Sequence, residues 1–178
     1  MDSLKFLLYT LGRIGVLIMV DILAVVTGKI FIPVLINFFP DDSAVTRFLL
    51  NESNRSVIGW AIMLVLLMWL FFDDGKRHAA YDIWNSVNIM IVHILMLMVY
   101  FVPTIFRAEL DKENRGTVVY KMAYFPVLWL EERFDMAYTS AAALGIGIIL
   151  VLAFSVYVVS YKLYMRKYKS LYKPMHSS

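Results

Sequence analysis

Long apolar runs broken by short polar links set the pattern of this chain. Crossing a bilayer as a helix takes about 20 mostly apolar residues. Four segments approach or exceed that length: residues 14–38, 56–72, 83–106 and 140–161. The pattern predicts an all-α membrane protein, a bundle of four transmembrane helices forming a single integral membrane domain.

Between the third and fourth runs lies the longest connection, residues 107–139. Its first part, 107–116, is densely charged and reads as a solvated loop. Residues 117–130 are mostly apolar and aromatic with Pro126 among them, too few to cross, so an external interfacial or re-entrant segment that caps the helix ends is expected.

Composition agrees with this reading. The chain of 178 residues is 61% hydrophobic, 15% aromatic and 17% charged, against about 45–50% apolar and about 25% charged in soluble domains. It has no cysteine, which excludes disulfides, thiolate metal sites and prenyl or palmitoyl anchors. At the N-terminus Lys5 precedes an apolar run, as in a signal peptide. That run is too long for a signal core and Asp21 interrupts it, so a retained helix is expected.

Four crossings put both termini on one side, and the distribution of Lys and Arg chooses which. With the termini in the cytoplasm, the inside carries Lys5, Arg13, Lys76, Arg77, Lys162, Arg166, Lys167, Lys169 and Lys173. The outside then carries Arg47, Arg55, Arg107, Lys112, Arg115, Lys121 and Arg133. The inside set crowds the helix ends, so cytoplasmic termini are expected. The last run should continue as a helix, with Tyr157, Tyr161, Tyr164 and Tyr168 along one stripe. Lys162, Arg166, Lys167 and Lys169 interleave with it as a basic tail suited to anionic lipid headgroups.

Candidate chemistry lies in three places. In the link 73–82, Asp74, His78 and Asp82 fall at i, i+4 and i+8, a spacing that on a helix could hold a divalent cation; the plainer reading is a tight turn bent at Gly75, with Asp82 helping to start the next helix. In the fourth run, Ala141 with Gly145 and Ala143 with Gly147 form two small-xxx-small pairs that let helices approach closely. Within the runs, Asp21, His93 and Ser155 come out within about one helical turn of one level when counted at 1.5 Å per residue from the expected membrane entry points. Asp21 is eight residues from both Arg13 and Lys29, so neither reaches it within its own helix. Two sequons, at Asn51 and Asn54, are short patterns common by chance.

The chain shows no nucleotide-binding loop, no cofactor motif, no nucleophile–base pairing and no nucleic-acid-binding pattern. The expected function is therefore non-enzymatic: a small membrane subunit that binds a larger membrane protein partner or itself, with membrane lipids around it. The alternatives are a transporter or proton sensor using Asp21 and His93, and an enzyme acting on lipid headgroups at Asp74, His78 and Asp82.

Overall fold

The computed structural model describes residues 3–105 and 120–171. Four of its helices are long and apolar enough to cross a membrane. They are α1 (Ser3–Ile36), α3 (Glu52–Ala80), the pair α4 (Ser86–Tyr100) with α5 (Val102–Ile105), and α7 (Tyr138–Leu171). Two short helices lie between them, α2 (Ala44–Leu50) and α6 (Leu128–Phe134), the latter entered through a 3-10 turn at Phe125–Val127. The four long helices run alternately up and down, so the start of α1 and the end of α7 lie at one end of the bundle.

Helix boundaries follow local chemistry. Ser43 caps α2 by accepting the Thr46 amide at 3.0 Å, and Asn51 caps α3 by accepting the Ser53 amide at 2.8 Å. At the far end of α3 the chain closes a Schellman motif: the Ile83 amide donates to the His78 carbonyl at 2.9 Å while Asp82 takes φ 51°. That left-handed position is one aspartate tolerates better than most residues.

Each long helix buries one stripe. On α3 the buried positions are Ser56, Gly59, Met63, Leu67, Phe71, Asp74, Gly75 and Ala79, a three-and-four spacing. Ile146, Ile149, Ala153 and Tyr157 of α7 and Leu17, Val20 and Ala24 of α1 complete the core around it. Only 22–39% of the most apolar stretch of each long helix is buried inside the bundle. The rest stays outward and apolar, including Met19 (70% exposed), Trp69 (69%) and Val151 (65%).

Across the end opposite the termini lies an aromatic cap. Tyr120, Tyr124, Phe125, Val127 and Leu130 are buried there. Tyr124 donates to the Tyr100 carbonyl at 2.9 Å, and the Trp129 amide donates to Ser56 Oγ at 2.8 Å. Trp60 packs edge-on to Trp129 at 5.5 Å and donates to the Gly145 carbonyl at 3.0 Å. The described part of the expected capping segment is therefore packed over the helix ends; the charged stretch 107–116 and residues 117–119 lie outside the described residues.

The bundle departs from expectation at the start of α1 and at the end of α3. Helix α1 is already formed at Ser3, eleven residues before the expected start at 14, which brings Tyr9 and Arg13 into the bundle. Helix α3 runs through the link 73–82 to Ala80, and the turn falls at 81–85, so α4 begins at Ser86. Gly75 is thus not a bend. A Cβ there would come 2.5 Å from the Tyr157 carbonyl oxygen and 2.9 Å from Ser160 Cβ. The glycine is a contact point that lets α7 lie against α3, and Ser160 Oγ donates to the Phe72 carbonyl beside it at 2.7 Å.

Candidate functional site

Near the terminal end, three helices contribute to one polar network. Tyr9 and Arg13 are a turn apart on α1, Asp74 and His78 a turn apart on α3, and Tyr157 faces them from α7. Arg13 grips Asp74 with both arms, Nε to Oδ2 at 2.8 Å and Nη2 to Oδ1 at 2.5 Å. Tyr9 donates to Asp74 Oδ2 at 2.5 Å, and its ring lies 4.7 Å from the Arg13 guanidinium carbon. Asp74 is 3% exposed. His78 Nδ1 is hydrogen-bonded to Tyr157 Oη at 3.0 Å.

The three candidates Asp74, His78 and Asp82 are held apart from one another in this geometry. Asp74 is held by Arg13 and Tyr9, His78 by Tyr157, and Asp82 has left the helix in its left-handed conformation. No group of three His, Cys, Asp or Glu that could hold a metal ion occurs among the described residues. The arrangement is a buried ion pair clamping α1 to α3.

A second ion pair sits at the capped end. Lys29 pairs with Glu52 and lies 4.8 Å from the centre of the Phe125 ring. Lys29 belongs to a five-residue π-helical stretch, Thr27–Phe31, an insertion that turns the helix face locally. Gly28 in that stretch leaves room for the Phe125 ring. Asp73 and Arg77 form a third pair along α3 at 2.6 Å.

Asp21 is different. The described parts of the four long helices hold four acidic residues, Asp21, Glu52, Asp73 and Asp74, and the last three are ion-paired. Asp21 Oδ1 is buried with no hydrogen-bond partner among the described residues. Its residue opens onto two outward grooves of about 320 Å³ each. One runs between α1 and the α4–α5 junction, walled by Leu17, Tyr100 and Pro103; the other follows α1 past Ile22 and Val26 to Met122.

His93 lies elsewhere. Its Nδ1 meets the Ile89 carbonyl at 2.7 Å, so that nitrogen carries the proton and Nε2, which has no partner, is an acceptor. The ring packs 4.2 Å from Phe71 and 5.8 Å from Phe154, beside a groove of about 280 Å³ between α4 and α7 that Gly147 also lines. Ser155 is exposed and donates to its own helix at the Val151 carbonyl, 2.9 Å away. The structure makes no hydrogen bond between any two of Asp21, His93 and Ser155. Counting from Arg13 placed Asp21 too shallow, because Arg13 is itself well inside the helix; Asp21 faces Tyr100, about 10 Å along α4 from His93 at 1.5 Å per residue.

Of the small-residue pairs, Gly145 sits against Val127 and Leu130, and Ala141 is buried, so that pair serves the bundle itself. A Cβ on Gly147 would meet nothing within 4 Å, and Ala143 is exposed. In the tail, Tyr157 and Tyr161 are buried, Trp84 packs 4.5 Å from Tyr161, and Tyr164 takes Phe72 and the Lys76 ammonium against its ring. Lys162, Arg166 and Lys167 are exposed on the other faces of the helix; the Lys169 side chain lies outside the described residues. At the sequons, the Asn51 side chain is spent on its cap and Asn54 Nδ2 donates to the Phe48 carbonyl at 2.9 Å.

The mouth of the capped end is acidic. Glu52, Glu131, Glu132 and Asp135, with Lys121, line a cavity of about 550 Å³. Burial, and then the neighbouring Glu132 charge, push the Glu131 carboxyl above its usual range, with Lys121 pulling the other way.

No protein-family model matches this sequence, and no characterised protein or solved structure shows significant similarity to it.

Proposed function

We propose that this protein is an integral membrane subunit that works by assembling with another membrane protein, and that it carries out no chemistry of its own. The membrane reading is supported by the outward apolar faces of the four long helices, which have no counterpart in a water-soluble bundle. Both termini lie in the cytoplasm in this reading, since the basic residues crowd that end, and Lys162, Arg166, Lys167 and Lys169 hold the tail to anionic headgroups. Within the tyrosine stripe, Tyr157 and Tyr164 pack back on α3 and Tyr161 on Trp84 of the turn that follows it.

The observation that carries the assembly role is Asp21. An aspartate near a helix centre costs about 2.5–3.5 kcal/mol on insertion scales. The fold pairs the other acidic residues of its long helices internally and leaves this one on an outward face. A proton relay from Asp21 to His93 would need a contact that is not made here, and a headgroup enzyme would need the Asp74 carboxylate, which is bound to Arg13 and Tyr9.

Gentle detergent extraction of the full chain from its native membrane tests this reading. The wild type is expected to migrate as a stoichiometric complex, and Asp21→Asn as a folded lone chain. A wild type that is monodisperse and alone contradicts the assembly role.

A further inference from the structure

The partner's chemistry follows from the surroundings of Asp21, given the assembly role. We propose that the grooves flanking Asp21 receive a single transmembrane helix of another protein, one that carries a Lys or Arg at the depth of Asp21. A carboxylate in apolar surroundings accepts hydrogen bonds and favours an opposite charge; a basic side chain supplies both.

Among the described residues, this chain's own helices do not supply it. Arg13 and Lys29 each lie about 12 Å along α1 at 1.5 Å per residue, on either side, and each is committed to another carboxylate. Lipid does not supply it either. Asp21 lies near the midpoint of α1, so in a hydrocarbon core about 30 Å thick it sits about 15 Å from either headgroup layer, among acyl chains. Acyl chains carry no donor.

A second copy of this chain fails on symmetry. Two copies inserted the same way and related by a two-fold axis bring residues of equal depth together, and Arg13 and Lys29 of the second copy would again lie about 12 Å along α1 from the level of Asp21. The side chains around it, such as Ile18, Ile22, Val25 and Val102, include no cation. The shape suits a helix instead. The two grooves run along residues 17–26 of α1, about 13 Å at 1.5 Å per residue, or two and a half turns of contact with the acid near the middle.

Ile22 is 55% exposed and lines the groove, so a photoreactive side chain there reports the occupant with little disturbance. The full chain carrying p-benzoylphenylalanine in place of Ile22 is irradiated in native membranes, and the crosslinked segment is sequenced by mass spectrometry. The expected product is an apolar segment of another protein containing a Lys or Arg. Asp21→Asn in the same background is expected to cut the yield roughly tenfold or more, the scale of a charged hydrogen bond. Asp21→Lys combined with the reciprocal change to Asp in the captured segment should restore it. A captured helix without a basic residue, or a crosslink to a second copy or back onto this chain, overturns the proposed partner chemistry while leaving a co-purifying complex intact. Adducts with lipid alone overturn both the partner and the assembly role.

Discussion

Replacing Arg13 and Asp74 by leucine, singly and together, separates a structural clamp from two unrelated charges. Breaking a buried ion pair from one side costs about 3–5 kcal/mol, because the surviving charge stays in the interior without its partner. The two sides are not equal here. The Asp74 side chain is 4% exposed and Arg13 19%, so a stranded Arg13 can swing its head outward while a stranded Asp74 cannot. Arg13→Leu should therefore cost about 4–5 kcal/mol and Asp74→Leu about 3 kcal/mol. In the double variant no charge is stranded; Tyr9 loses its acceptor, for about 1–2 kcal/mol. The coupling is then several kcal/mol, far above the roughly 0.5 kcal/mol within which independent sites add. Reversible unfolding in mixed micelles, followed by tryptophan fluorescence as the denaturing detergent fraction rises, measures all three. Single effects that add to the double effect would show that Arg13 and Asp74 do not form the clamp between α1 and α3.

Other expectations are simpler. Gly75→Ala should lower stability by about 1–3 kcal/mol, since the added methyl meets backbone, whereas Gly147→Ala should change it by less than about 0.5 kcal/mol; the same unfolding assay reads both. Neutralising Arg166, Lys167 and Lys169 together should weaken tail-peptide binding to anionic vesicles by about 1 kcal/mol per charge, and added salt should do the same to the native peptide; salt-insensitive binding would count against the lipid role. The raised pKa of Glu131 means the folded state holds its proton more tightly than the unfolded state does. Its contribution therefore favours folding at low pH and is lost as pH rises through the folded value, so Glu131→Gln should raise the unfolding midpoint at pH 7 and leave it unchanged at pH 4.

The long helices were legible because an apolar run of spanning length needs no tertiary information to be recognised. The described part of the cap, residues 120–130, was legible for the opposite reason: the segment is apolar but too short. The inner polar network was not, although its parts were visible. Tyr9 and Arg13 share one helix face, Asp74 and His78 another, and alternating helices put both pairs at the same end. Taking Arg13 as the surface boundary of α1 hid the match, since a charge satisfied by another helix leaves no mark in its own segment. Gly75 misled for a related reason. In sequence a glycine among charges reads as a turn, and only the path of α7 shows it to be a contact. For Asp21, sequence gave the anomaly; the grooves beside it depend on how α1, α4 and residues 122–123 come together.

In the proposed topology the four long helices cross a bilayer with the Arg13–Asp74 end in the cytoplasm. The cysteine-free background makes it directly testable by single-cysteine labelling in intact cells with a membrane-impermeant reagent. Leu50→Cys and Asn114→Cys are expected to react, while Lys76→Cys and Ser170→Cys are expected to react only after the membrane is opened. Labelling of positions 76 and 170 in intact cells, with 50 and 114 protected, would reverse the orientation. Labelling of all four would show that the chain does not span the membrane as described.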